Sequence, residues 1–163
     1  MKKILLLSIL LWTGWVSAQT IDLDKENRDP KYVESIVSRS QKIVDKLGIN
    51  DAKVAEDVRN VIANRYFTLN DIYETRDAKV KEIKESDLVG EAKNNALKAA
   101  EDAKDAALYR IHFAFPADLS LFLTEEQIEA VKDGMTYGVL KITYDSHLDM
   151  IPSLKKEEKV QIY

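Results

Sequence analysis

The residues best suited to chemistry lie in one short stretch near the end of the chain. Tyr137, Tyr144, Asp145, His147 and Asp149 follow one another there, beside Gly134 and Gly138. A sugar site needs flat apolar faces next to carboxylates or amides that take paired hydroxyl hydrogen bonds, and Tyr and Asp suit both tasks. The competing reading is structural, with the tyrosines packing a core and the acids capping turns around Pro152. Asp145, His147 and Asp149 would also share one face if the segment were a strand. That pattern invites a metal, but a single His with no further ligand in reach of the motif makes a poor set, and no metal is expected. The other histidine, His112, sits beside Phe113 and Phe115 and reads as a packed or helix-end residue.

Catalytic sets are not evident. Glycoside hydrolysis needs two carboxylates at a set separation, and a chain with 28 acids always offers some pair, so acids alone carry no signal. Motifs for a serine nucleophile, a phosphate loop or a dinucleotide are missing, and no cofactor is expected. Arg76 to Glu85 is a dense run of charge that reads as a solvated helix face, or else as a docking surface.

The elements that must position these residues are helical. Asp29-Pro30 can cap and open a first helix, whose apolar stripe Val33, Ile36, Val37, Val44 and Leu47 leads to a stop at Gly48. Asn50 or Asp51 caps a second helix, with a stripe from Val54 to Ile83 uninterrupted by Gly or Pro. A helix of that length needs a long partner. Ala92, Ala96, Ala99, Ala100, Ala103 and Ala107 give a third helix a small-residue face that permits close approach. The two are expected to form an antiparallel hairpin turning at 86–90. Phe115-Pro116 ends or kinks the third helix. Thr124 and Gln127 fit a capping box for a short helix that stops near Gly134.

Residues 135–145 are rich in Thr, Tyr, Val and Ile, and the pattern allows a short extended segment, an irregular buried stretch or a helix of poor propensity. Pro152 breaks this segment, and another helix begins near Leu154, with Leu, Glu and a β-branched residue at the offsets seen after Leu123. The expected class is therefore all-α, a helical bundle built on a long hairpin.

The first residues have a separate logic. Lys2 and Lys3 precede an apolar run from Ile4 to Leu11, and Val16-Ser17-Ala18 resembles a cleavage site. This three-part layout predicts a signal peptide over 1–18, cut between Ala18 and Gln19, and export from the cytoplasm. The run is too short to span a bilayer well, so no transmembrane span is expected in the mature chain. A polar, flexible leader covers 19–29, and a single helical domain covers 30–163. The chain has no Cys, which excludes lipid attachment at Cys, disulfides and thiolate chemistry. Loss of Lys2 and Lys3 takes the formal charge from −4 to −6, a poor balance for nucleic acid. Trp12 and Trp15 both fall in the signal, which removes the commonest sugar-stacking residue from the mature domain.

Several stretches resemble a known family. They are Arg65-Tyr66, Leu69 to Ile72, Arg76 to Lys79, Leu123 to Gln127, Val131 to Val139, and Tyr144 with Leu148 to Pro152. Together they are similar to domain-of-unknown-function family 3826, an exported helical family of the Bacteroidota. Some members are described as outer-membrane components of carbohydrate-binding complexes. The resemblance runs from about Val33 onward, and its members continue past the last helix, which implies that this chain is shortened at its C-terminus. It implies a periplasmic or outer-membrane setting and a glycan or envelope-protein partner, and it transfers no catalytic residue. The expected function is a non-catalytic binding or accessory protein of the envelope. A periplasmic holdase, suggested by Leu123-Thr124-Glu125-Glu126-Gln127, is the alternative, and a carboxylate-dependent glycan hydrolase ranks below it.

Overall fold

A computed structural model describes residues 20–162. The expected signal segment, its cleavage point and Tyr163 lie outside the described residues. Seven helices follow one another among those described: α1 Pro30–Val44, α2 Ala52–Glu85, α3 Gly90–His112, α4 Ala114–Leu119, α5 Glu125–Met135, α6 Val139–Met150 and α7 Lys156–Gln161. The class is all-α.

Local chemistry explains where α1, α2 and α5 begin. The Asp29 carboxylate accepts from the Tyr32 N–H at 2.9 Å, and Pro30 occupies the first turn of α1. Asp51 accepts from the Lys53 and Val54 N–H groups at 2.8 and 3.0 Å and opens α2. The capping box at α5 forms: Gln127 N–H donates to Thr124 Oγ1, and Thr124 N–H donates to Gln127 Oε1 at 3.1 Å. The Gln127 amide also donates to the Leu47 carbonyl at 2.8 Å, which ties the start of α5 to the turn after α1. At the end of α3 the deciding residue is Pro116. It has no N–H to offer the His112 carbonyl, and α3 ends at His112. Arg65 of α2 donates instead to the adjacent Ile111 carbonyl at 3.0 Å.

The core lies at one end of the α2–α3 hairpin. Ile43, Val44 and Leu47 from α1 and its following turn meet Val58, Val61 and Ile62 of α2, with Leu119, Leu123, Ile128 and Val131 closing the other side. A second cluster stacks Ile36 on Ala63 and Phe67. Residues 20–29, expected as a flexible leader, lie along α2. Ile21 N–H donates to Asp57 at 3.0 Å, Asn60 donates to the Ile21 carbonyl at 2.8 Å, and Asn64 bonds both Asp22 and Asp24. Arg28 then joins Asp71 through two bonds of 2.7 and 2.8 Å, with its guanidinium 4.6 Å from the Phe67 ring centre.

The hairpin is antiparallel, as expected. Arg65 reaches Ile111, Arg76 pairs with Glu101 at 2.6 Å, and Lys93 donates to the Lys84 carbonyl. Its outer half has little core of its own, with Ile83 and Ala100 as its buried apolar residues.

The short helix α5 ends at Met135, next to Gly134 as expected, though Gly134 itself lies inside its last turn. A Cβ built at Gly134 would stand 3.1 Å from both Ile43 Cγ1 and Cγ2, so glycine here serves the close approach of α5 to α1. One expectation needs correction: the extended segment at 135–145 is not formed. After a turn at 136–138, α6 is helical to Met150. The β preference of Thr, Tyr, Val and Ile reflects packing on a pleated, half-buried surface. No strand among the described residues offers such a surface, and a helix satisfies its own backbone.

Candidate functional site

Side chains from α1, α5 and the turn that follows α5 converge on a cleft of about 500 Å³. Arg39, Lys42 and Lys46 line one wall. Their spacing of three and then four residues keeps them on one face of α1 and the turn that prolongs it. Among the described residues, no ion pair takes any of the three. Asp133 stands on the α5 wall, and Ile43 and Gly134 meet between the walls.

Tyr137 completes the cleft and is the unusual residue. Its backbone is left-handed, with φ at 56°, and Gly138 follows at 69°. The conformation closes α5 in the manner of a Schellman motif: Gly138 N–H donates to the Asp133 carbonyl at 2.8 Å and Tyr137 N–H to the Gly134 carbonyl at 3.4 Å. Glycine normally takes the position that Tyr137 holds, because a Cβ there is strained. The result is an aromatic ring, 67% exposed, held at the cleft edge. The Arg39 Cζ lies 5.3 Å from that ring centre and 5.5 Å from the ring centre of Tyr66, both within cation–π range. Burial pushes the Tyr66 phenol above its ordinary range, with Arg39 opposing. Tyr66 therefore stays protonated and donates to the Met135 carbonyl at 3.4 Å.

Of the residues singled out in the sequence, Tyr137 alone lines this cleft. Tyr144, Asp145, His147 and Asp149 lie on α6, where helical spacing turns His147 about 200° from Asp145. The shared face that a strand would give is lost. Asp145 pairs with Lys141 one turn earlier, and His147 Nδ1 is bonded to the Thr143 carbonyl at 2.7 Å. Asp149 is exposed, one turn beyond Asp145. No group of three or more His, Cys, Asp or Glu gathers as a metal site among the described residues.

A larger concavity of about 580 Å³ runs along the hairpin, floored by Ala100, Ala103 and Ala107. Its charged rim is already neutralised: Arg76 and Lys104 hold Glu101, Lys79 holds Glu82, and Arg28 holds Asp71. The α1–α5 cleft has the unspent charge, and we take it as the candidate site.

Residues 33–163 match the profile of a family described as protein of unknown function, DUF3826. The chain belongs to the DUF3826 family. No curated protein matches it. The DUF3826 span takes in every residue of the α1–α5 cleft, and the contacts that residues 20–29 make with α2 begin ahead of it. Three of the cleft residues, Arg39, Lys42 and Lys46, escape a reading by residue type. The signal that marks them is a missing one. At three and four places before each stand Ser35 and Ile36, Ser38 and Arg39, and Lys42 and Ile43, with no acid among them, and Asp45, three places after Lys42, accepts from Gln41. Other lysines of this chain do take an acid one turn away, as Lys132 takes Glu129 and Lys104 takes Glu101.

Proposed function

We propose that this protein is an exported, non-catalytic binding component of the cell envelope, and that it holds a glycan in the α1–α5 cleft. The observation that carries the reading is Tyr137. A bulky aromatic on a strained left-handed backbone, roofing an open cleft, costs stability that a glycine would restore, and strain of this kind gathers at functional positions. A tyrosine face beside Asp133 and the cations supplies the stacking and hydrogen-bonding groups that sugar recognition requires. The signal-like segment and the described family members support the envelope setting. Among the described residues no helix is long and apolar enough to cross a membrane.

Calorimetry of the exported protein against a panel of envelope and plant polysaccharides tests the reading. Tyr137→Ala is expected to weaken binding about tenfold, equivalent to ~1.4 kcal/mol. Failure to bind any polysaccharide, together with no co-purifying envelope partner, sinks it.

One observation favours the holdase alternative. Val139, Ile142, Met150 and Val160 expose more than half of their surface along α6 and α7, and α6 buries none of its residues. Apolar surface of this kind suits unfolded clients. A light-scattering assay on a denatured client, with no suppression of aggregation at equimolar protein, removes that reading.

A further inference from the structure

The charge of the cleft is opposite to the charge of the molecule. The chain carries a formal −4, yet the cleft lining has Arg39, Lys42 and Lys46 against Asp133 among the described residues. A concave wall of one sign focuses its field and attracts counter-charge. Several surface lysines in this protein are spent on neighbours one turn away, as in Lys53 with Asp57, Lys98 with Asp102 and Lys132 with Glu129. Those of the cleft are left for a ligand.

We propose that the cleft recognises a glycan through its carboxylates, and that the sugar is a uronate within a polymer. This inference rests on the binding role proposed for the same cleft and names its substrate class. Arg39 provides the specific contact. Two tyrosine rings position its guanidinium, and a planar fork of donors matches a carboxylate through two parallel hydrogen bonds. Lys42 and Lys46 continue the row as point charges. From Arg39 to Lys46 the row rises about 10 Å along the helix axis, at 1.5 Å per residue. That length exceeds one pyranose ring, so the row suits successive acidic residues of a chain better than one small anion. Tyr137 stacks on a ring face, and Asp133 on the opposite wall accepts from hydroxyls. A carboxylate facing the row also explains the mixed lining: cations alone would hold any polyanion, whereas a polymer of hydroxylated rings uses both signs.

The test compares three probes on the exported full chain by calorimetry: polygalacturonate, the same polymer with its carboxyl groups reduced to alcohols, and inorganic sulfate alone. Polygalacturonate is expected to bind, and the reduced polymer to bind at least tenfold more weakly. Lys42→Gln combined with Lys46→Gln is expected to weaken polygalacturonate at least tenfold and to flatten its dependence on salt, because exposed charges are screened. Lys98→Gln on the hairpin is expected to change nothing, and unchanged thermal melting of each variant excludes misfolding. Equal binding of the two polymers overturns the uronate assignment while the binding role stands. Sulfate binding as tightly as the polymer overturns it too, marking a general anion site. Binding of no polysaccharide overturns both.

Discussion

Tyr137 and Gly134 make opposite predictions at the scale of one residue. Replacing Tyr137 by glycine relieves the left-handed strain at the end of α5. It is expected to stabilise the fold by about 1 kcal/mol in urea unfolding while weakening glycan binding at least as much as Tyr137→Ala does, the trade expected where activity needs a strained residue. Replacing Gly134 by alanine improves helix propensity by up to ~1 kcal/mol. The new methyl meets Ile43 side-chain atoms at 3.1 Å, so this buried core residue must shift by a few tenths of an ångström. Overpacking of this kind costs roughly 1–3 kcal/mol, so net destabilisation is expected, and a higher melting temperature for Gly134→Ala argues against the tight seam. Both residues are visible in the sequence, but their roles are not. A sequence shows that Tyr137 is aromatic, not that it occupies a glycine position. It shows a glycine near a helix end, which reads as a stop until the neighbouring helix is seen.

The capped helix starts and the stripe of α2 were legible because a few neighbouring residues fix them. Contacts between distant parts of the chain were not. The polar residues 20–29 read as a leader, yet they lie against α2 through Asp57, Asn60 and Asn64. Asp57 is 2% exposed, and burial raises its carboxyl. The Lys53 ammonium and the Ile21 N–H more than reverse this, leaving it below the ordinary range. The folded group thus titrates below its unfolded value of about 3.9, so its contribution is complete above roughly pH 5 and fades as pH falls through the folded value. Asp71, held down by Arg28, acts in the same direction. Hydrogen exchange at the Ile21 amide should therefore accelerate as pH drops below about 4, beyond its intrinsic pH dependence. In Asp57→Asn, which loses a charge-assisted bond of roughly 1–2 kcal/mol, the faster exchange should already be present at pH 7. Equal protection in the two proteins would remove Asp57 as the anchor. The strand alternative at 135–145 failed for a related reason: β preference depends on a partner surface that composition does not report.

The whole molecule divides into a packed end and two extensions. One extension is the outer hairpin, from about Ile72 to Ala100, held by Arg76–Glu101 and a line of alanines. The other is the α6–α7 arm, with no buried residue in either helix. Stability is expected to follow burial, so limited proteolysis should cut within 136–162 before it cuts α1, α2 or α5. First cleavage within 52–67 would contradict that order. Composition and periodicity disclosed the helices and the hairpin, but not which helix faces would stay bare. An amphipathic stripe looks the same whether its partner is present or not.

Tyr137 lies between these parts as a residue of the α5 closure and the edge of the cleft, in the middle of the turn at 136–138 that launches α6. Two consecutive left-handed residues set the direction in which the arm departs. A backbone shift that carries the ring also swings that direction, so whatever rests on the ring and whatever grips the arm can act on the same joint. By thermodynamic reciprocity, a molecule on the ring that shifts this joint changes affinity for one on the arm by the same factor as the reverse. Occupancy of the cleft is in that sense written into the bearing of the arm.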